Sequence, residues 1–332
     1  MTAFPRALRR FLVALPLAFG AMAAEAADLV RVGVFPVSSA LPFFVARERG
    51  YFAAFDIETE EARLMGGPAV VGAMIGDQID VAANLVTIEG MNANLLRSGV
   101  ARFIAVNAQN ATFQMEQFVG RKGLGASSLA DLVGMGPLRA MSAPGPANIQ
   151  AAKGVLEAVG LREGTDFTMT ELAMNLHVDA MQAGTFDIGY TLEPNGTVMR
   201  DVGAAELIEA GVIATHLLGR PDAKAFAAGA AMTGAFVERN PDVAARFAAA
   251  WRLALADIAE DPTTRELLKG NTFTPSDVAM TMPMPEFLMA DALTDQDRAD
   301  YVALIRFAVD RGVLEQPIDP LDYLIELPEP AR

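Results

Sequence analysis

Short apolar runs alternate along the chain with stretches whose apolar residues recur at helical spacing. Leu29 to Phe35 reads as a strand, followed by a loop over Pro36 to Pro42 and a helical stretch carrying Phe43, Phe44, Ala46, Tyr51 and Phe52. Ile57 to Arg63 predicts a second strand. Gly66-Gly67-Pro68 opens a helix through Met74, and Ile79 to Ala83 predicts a third strand entering a helix near Glu89 to Leu96. A second set follows, with strands at Phe113 to Val119, Leu138 to Ser142, Phe167 to Glu171 and Phe186 to Tyr190, and helices at Ala147 to Val159 and Val178 to Gln182. This order predicts an α/β chain of two lobes, each a mainly parallel sheet flanked by helices. Gly76 to Asp80 ends a helix and starts a strand, and Gly184 to Asp187 echoes it about 107 residues later.

Beyond Asn240-Pro241 the pattern turns helical, with Val243, Phe247, Trp251 and Leu255 on one stripe that reads as core. Asn240 is placed to cap, with Pro241 at the first helical position. Thr272 to Pro285, rich in Thr, Pro and Met, reads as an irregular connection ahead of an amphipathic helix from Asp295 to Val309.

The first 26 residues differ in kind. A basic start (Arg6, Arg9, Arg10), an apolar run from Phe11 to Phe19 and small residues around Ala24-Glu25-Ala26 have the form of a secretory signal peptide cleaved after Ala26. The apolar run is about half of the roughly 18 to 20 residues that span a bilayer. Arg9-Arg10 runs directly into Phe11 without the polar surroundings of a twin-arginine signal, which favours the general secretory route. About 306 residues remain, enough for two lobes, and none of their apolar runs is long enough to cross a membrane. With 0 Cys the chain has no disulfide, thiolate metal site, cysteine nucleophile or lipid-modified cysteine, so a periplasmic protein without a lipid anchor is expected. The part after the signal carries 23 basic and 40 acidic groups, near −17, which repels nucleic acid and offers no polybasic grip on anionic lipid.

Several short motifs then stand in a fixed order: Val34-Phe35-Pro36, Ala46 to Phe52, Gly76 to Asp80, Ala143-Pro144-Gly145, Ala183 to Asp187, Leu192-Glu193-Pro194 and Arg239 to Asp242. Together they resemble the type II periplasmic binding proteins of the taurine, alkanesulfonate and nitrate group and the pyrimidine-precursor proteins of thiamine supply. Phe55 departs from that pattern, where the family turns with glycine before the second strand. The resemblance implies lobe 1 from residues 27–114 and 228–332, lobe 2 from 115–227, and two crossover strands near 112–118 and 224–232. It further implies capture of a small organic molecule in the interlobe cleft and delivery to the permease and ATPase subunits of an ABC importer. The expected protein is a monomer with no cofactor and no metal.

In open α/β sheets ligands lie at the carboxyl ends of strands, where helix N-termini aim free N–H groups outward. That selects the loops 36–43, 65–68, 84–87, 107–114, 142–148, 174–177 and 190–195. Ser38 and Ser39 offer hydroxyls ahead of a helix, either to a ligand or as plain caps. Asn84 and Thr87 follow the third strand; Gly67 and Asn110 sit in their loops. Pro144, Gly145 and Asn148 form a glycine-assisted turn at a helix start. Phe43, Tyr190 and Met115 read as apolar walls or as core. Glu193 either pairs with an amino or ring N–H group of the ligand or is satisfied by backbone donors or a nearby Arg. Apart from their remote ends these loops contain no Lys or Arg. That favours a neutral or amine-bearing ligand such as a pyrimidine-like heterocycle or an amino-containing acid, while a sulfonate or nitrate remains open to helix starts and hydroxyls.

An enzyme on the same fold is the first rival. The chain has only His177 and His216, no Gly-x-Ser-x-Gly elbow and no His pair at metal-ligand spacing, so catalysis is not expected and His177 reads as structural or a ligand hydrogen-bond partner. A regulator's sensory domain would need a helix-turn-helix or a membrane-tethered signalling segment, and neither is present. An ion-driven importer as the partner stays open beside the ATP-driven one.

Overall fold

The computed structural model describes residues 26–330, so all but the last residue of the expected signal peptide lies outside the described residues. Strands β1 (Asp28–Val34), β2 (Ile57–Arg63), β3 (Val81–Val86) and β4 (Arg102–Gln109) begin a first sheet. A second is built from β5 (Glu116–Arg121), β6 (Leu138–Ser142), β7 (Phe167–Glu171), β8 (Ile188–Leu192) and β9 (Ala205–Ala210). β10 (Ala225–Met232) and β11 (Glu286–Met289) return to the first. The spatial orders are β11-β4-β10-β3-β1-β2 and β7-β6-β8-β5-β9. This is the two-lobed α/β architecture expected from the sequence, with one refinement. Both sheets are mixed, because β10 runs antiparallel to β3 and β4, β11 to β4, and β5 to β8 and β9.

Each lobe keeps a parallel triplet at its heart, β2-β1-β3 and β7-β6-β8. The sequence echo marks the same device in both. Asp80, ahead of β3, accepts the backbone N–H of Arg31 at 3.0 Å and its Nε at 2.9 Å. Asp187, ahead of β8, accepts the backbone N–H of Arg139 at 2.9 Å and its Nε at 3.0 Å. In both, an Asp entering one strand clamps an Arg on the central strand of the triplet, which fixes the register of a parallel pair. The clamp holds Asp187 down to about 2, chiefly through the Arg139 hydrogen bond.

The helix Pro241–Glu260 buries Val243, Phe247, Trp251 and Leu255 as its spacing predicts, with Phe247 stacked on Trp251 at 5.9 Å. Asn240 precedes Pro241 as the cap residue, although its side chain makes no capping bond. Residues 272–285 form neither helix nor strand. Thr294 and Asp297 cap the helix Asp295–Asp310 reciprocally. At the departure noted for Phe55, the next residue, Asp56, takes the left-handed turn conformation (φ 55).

The chain crosses between lobes twice, through Asn110 to Met115 and through Gly211 to Lys224. β10 starts inside the span expected for the second crossing, yet it is a full member of the first sheet rather than a connecting strand. The crossings are packed backbone to backbone: a Cβ at Gly211, where φ is 67, would fall on the main chain of Asn110 and Ala111. Glu116, buried at the start of β5, accepts the N–H groups of Val212 at 3.1 Å and Ile213 at 3.3 Å, so the strand that follows the first crossing holds the second. Burial pushes this carboxyl up to about 8, against the pull of its backbone donors.

Candidate functional site

A narrow cavity of about 50 Å3 lies between the two sheets. The first lobe lines it with Phe35, Val37, Ser39, Asn84, Val86, Ile88, Asn107, Gln109, Ala227, Ala228 and Leu304. Met115, Ala147, Asn148, Ala151, Tyr190, Leu192 and Ile213 face them from the crossing and the second lobe. The walls are aliphatic and aromatic, and every polar side chain among them is an amide or a hydroxyl; no Asp, Glu, Lys, Arg or His lines the space. Ser39 Oγ accepts from Asn84 Nδ2 at 3.0 Å, leaving its own proton free to be donated. Asn148 Nδ2 donates to the Pro144 carbonyl at 2.8 Å, leaving its oxygen as an acceptor. Asn107 Nδ2 is buried and finds no acceptor among the described residues. Burial and the neighbouring Glu116 push the Tyr190 phenol well above its ordinary value, so it stays protonated.

Ser39, Asn84, Asn148 and Tyr190, proposed from the sequence, are brought together at this cavity, with Met115 beside them. Asn84 is largely spent on the fold: its Oδ1 accepts from Phe35 N–H at 3.0 Å and its Nδ2 donates to the Phe35 carbonyl at 2.8 Å. The other expected contacts lie elsewhere. Phe43, on the buried face of the helix Leu41–Glu48, packs among Phe44, Phe52 and their neighbours in the first-lobe core. Thr87 Oγ1 donates to the Phe226 carbonyl at 2.6 Å. Asn110 turns the chain at the first crossing by accepting from the N–H groups of Thr112 and Phe113. Ser38 Oγ reaches across the cleft to Met115 Sδ at 3.0 Å and the Glu193 carbonyl at 3.3 Å, tying lobe to lobe. Pro144 meets Gly66 of the opposite lobe, while Gly67 and Gly145 make room for the carboxylate of Glu89.

Glu193 resolves to the second of its two readings. Its Oε1 accepts from Gln117 Nε2 at 2.6 Å and Thr197 Oγ1 at 3.0 Å, its Oε2 from Thr197 N–H at 3.0 Å, and Arg200 stands 3.6 Å away. It is fully buried and outside the cavity lining. His177 is likewise spent, with Nδ1 on Thr191 Oγ1 at 2.9 Å and Nε2 on the Leu172 carbonyl at 3.0 Å. Burial lowers it to about 4. An unfolded histidine takes up its proton near 6.5 while this ring stays neutral, so acidification from pH 7 to 5 withdraws up to about 2 kcal/mol of stability. Because buried carboxyls such as Glu116 pull the total the other way, the loss is read as a difference: between pH 7 and pH 5 the urea-unfolding stability of the native protein should fall by that amount relative to His177→Gln.

Sequence reasoning named the loop containing Asn107 and Gln109 but chose Asn110 from it. The two amides sit at alternate positions of β4 and so share one face, which is turned to the cavity. Among the described residues no group of three or more His, Asp or Glu is placed to hold a metal ion, and no helix is long and apolar enough to cross a membrane.

Solved structures share this fold over most of the chain. A ligand-binding component of an ABC-type import system from Staphylococcus aureus, with zinc bound, superposes with a TM-score of 0.71 at 14% identity, covering 90% of this chain and 97% of that one. An alkanesulfonate-binding protein from Xanthomonas axonopodis pv. citri bound to MOPS gives 0.70 at 16% identity, covering 91% and 99%. The periplasmic nitrate-binding protein of Synechocystis PCC 6803 gives 0.66 at 15% identity, covering 90% and 86%. No curated protein matches the chain. Its residues 23–269 match the NMT1-like family, and the chain belongs to that family.

Proposed function

We propose that the protein is the solute-binding component of an ABC-type import system, exported to the periplasm, which closes its lobes on one small, uncharged polar organic molecule. The observation that carries this reading is the interlobe cavity itself, apolar in its walls and furnished only with neutral donors and acceptors. A charge buried there would lose its hydration without meeting a counter-charge, at a cost of several kcal/mol. Asn107, Gln109, Ser39, Asn148 and Tyr190 would orient a flat, heteroatom-bearing molecule between the lobes. The fold shared with three proteins described as ligand-, alkanesulfonate- and nitrate-binding supports capture without chemistry. The loaded monomer would then present both lobes to the permease and ATPase subunits.

One observation favours a second ligand class. Ala147 and Asn148, in the first turn of the helix Pro146–Ala158, belong to the lining, and a helix start is where a sulfonate-like anion is held without a cation. Calorimetry with pyrimidines, amines, alkanesulfonates and nitrate separates the two. Uncharged heterocycles are expected to bind and to raise the melting temperature by mass action. Tight binding of bare nitrate would overturn the neutral-ligand reading, and failure of the whole panel together with an empty native preparation by mass spectrometry would overturn solute capture.

A further inference from the structure

Glu89, on the helix Thr87–Leu96, is 6% exposed, and neither oxygen of its carboxylate finds a hydrogen-bond partner among the described residues. Its position is more telling than its burial. A Cβ on Gly67, at the start of the first-lobe helix Gly67–Ile75, would fall on this carboxylate. So would a Cβ on Gly145, which precedes the second-lobe helix Pro146–Ala158. Beside them Pro144 of the second lobe packs against Gly66 of the first. One carboxylate is therefore clasped by loops from both lobes.

Of the elements packed against it, the two glycine turns bring no titratable side chain, and the end of β7 brings Glu171, a group of the same sign. Glu171 is occupied in accepting the Gly145 N–H at 3.1 Å. Burial first, and Glu171 second, push Glu89 up to about 8. Something positive has to neutralise this carboxylate when the lobes meet. Among the described residues no Lys, Arg or His pairs with it and no metal-holding cluster contains it, and it is absent from the lining of the interlobe cavity. Both carboxylate oxygens are buried where the two glycine turns meet, so a proton is the simplest neutralising partner.

We propose that closure of the two lobes takes up one proton at Glu89, so that the clasp is a proton-dependent latch between open and closed forms. The proton comes from solvent as the Gly145 turn arrives and returns to solvent when it retreats and water reaches the carboxylate. The closed form binds the additional proton, so it is favoured as pH falls and loses ground as pH rises from the ordinary carboxylate range towards neutrality and beyond. In that window the closed-to-open ratio falls by as much as about tenfold per pH unit. This rests on the binding-protein reading above, but it can be tested without a ligand.

Small-angle scattering of the ligand-free protein between pH 5 and 9 should show expansion with rising pH. Glu89→Gln, which is neutral at every pH and nearly the same shape, should stay compact throughout. The variant should melt as the native protein does at pH 5 and higher than it at pH 8, which also verifies its folding. A native profile independent of pH, or the same expansion in Glu89→Gln, overturns the latch. Neither result bears on whether a solute binds, which the calorimetric panel decides separately.

Discussion

Gly211→Ala is expected to remove about 3 kcal/mol or more of folding stability, read as a lower urea midpoint, although a methyl group is all it adds. Two costs combine. The residue holds φ at 67, where a non-glycine residue loses about 1 kcal/mol. Its Cβ would also overlap the backbone of Asn110 and Ala111. That backbone has little freedom to yield, because the Asn110 side chain accepts from two N–H groups of its own turn and Glu116 holds Val212 and Ile213 from beneath. Gly184→Ala isolates the first cost: Gly184 has φ 69 and nothing within 4 Å of an added Cβ. It should lose only about 1 kcal/mol. Equal midpoints for the two alanine variants would mean that the crossings part easily and that the close packing seen between them carries no load in the folded state.

The same crossings show where the sequence is legible and where it stops. β1, β2, β6 and β7 emerge from apolar or alternating runs bounded by turn residues, and local pattern alone specifies them. β4 and β9 do not emerge so clearly. Arg102–Gln109 mixes apolar residues with Asn107 and Gln109, and Ala205–Ala210 carries two glutamates, so each reads as a connection until its partners are known. Five of the eight residues of β10 are alanine, and its strand character comes from lying between β3 and β4 rather than from its own side chains. Missing β4 is what misdirected the reading of the cleft. Without the strand, Asn107 and Gln109 lose their common face, and Asn110 looks as good as either. Glu193 misled for a different reason: a carboxylate after a buried strand looks available until Gln117, from a strand 76 residues away, is found beside it. Glu89 is the converse, a residue hidden inside a predicted helix whose exceptional surroundings depend on two glycines from opposite lobes.

Asn107→Leu is expected to weaken ligand binding by about 10- to 100-fold while leaving the melting temperature unchanged or raised, using whichever uncharged heterocycle binds best in the calorimetric panel. The two effects have one cause. The Asn107 Nδ2 group is buried at the cavity wall with no acceptor, which in the empty protein costs about 1 kcal/mol or more. A ligand acceptor placed opposite it relieves that cost, so the group favours the bound state at the expense of the free one. Leucine, of nearly equal shape, removes both the unmet donor and its reward. Thr87→Val should behave in the opposite way. Its hydroxyl is already satisfied by the Phe226 carbonyl and lies outside the lining, so the substitution should lower stability by about 1 kcal/mol and leave affinity alone. Thr87, at the start of its helix, and Asn107, on β4, would then separate cleanly into one that holds the fold and one that holds the solute. If Asn107→Leu lowered the melting temperature with no change in affinity, the unpartnered amide would be a structural group, and the binding face of β4 would have to rest on Gln109 alone.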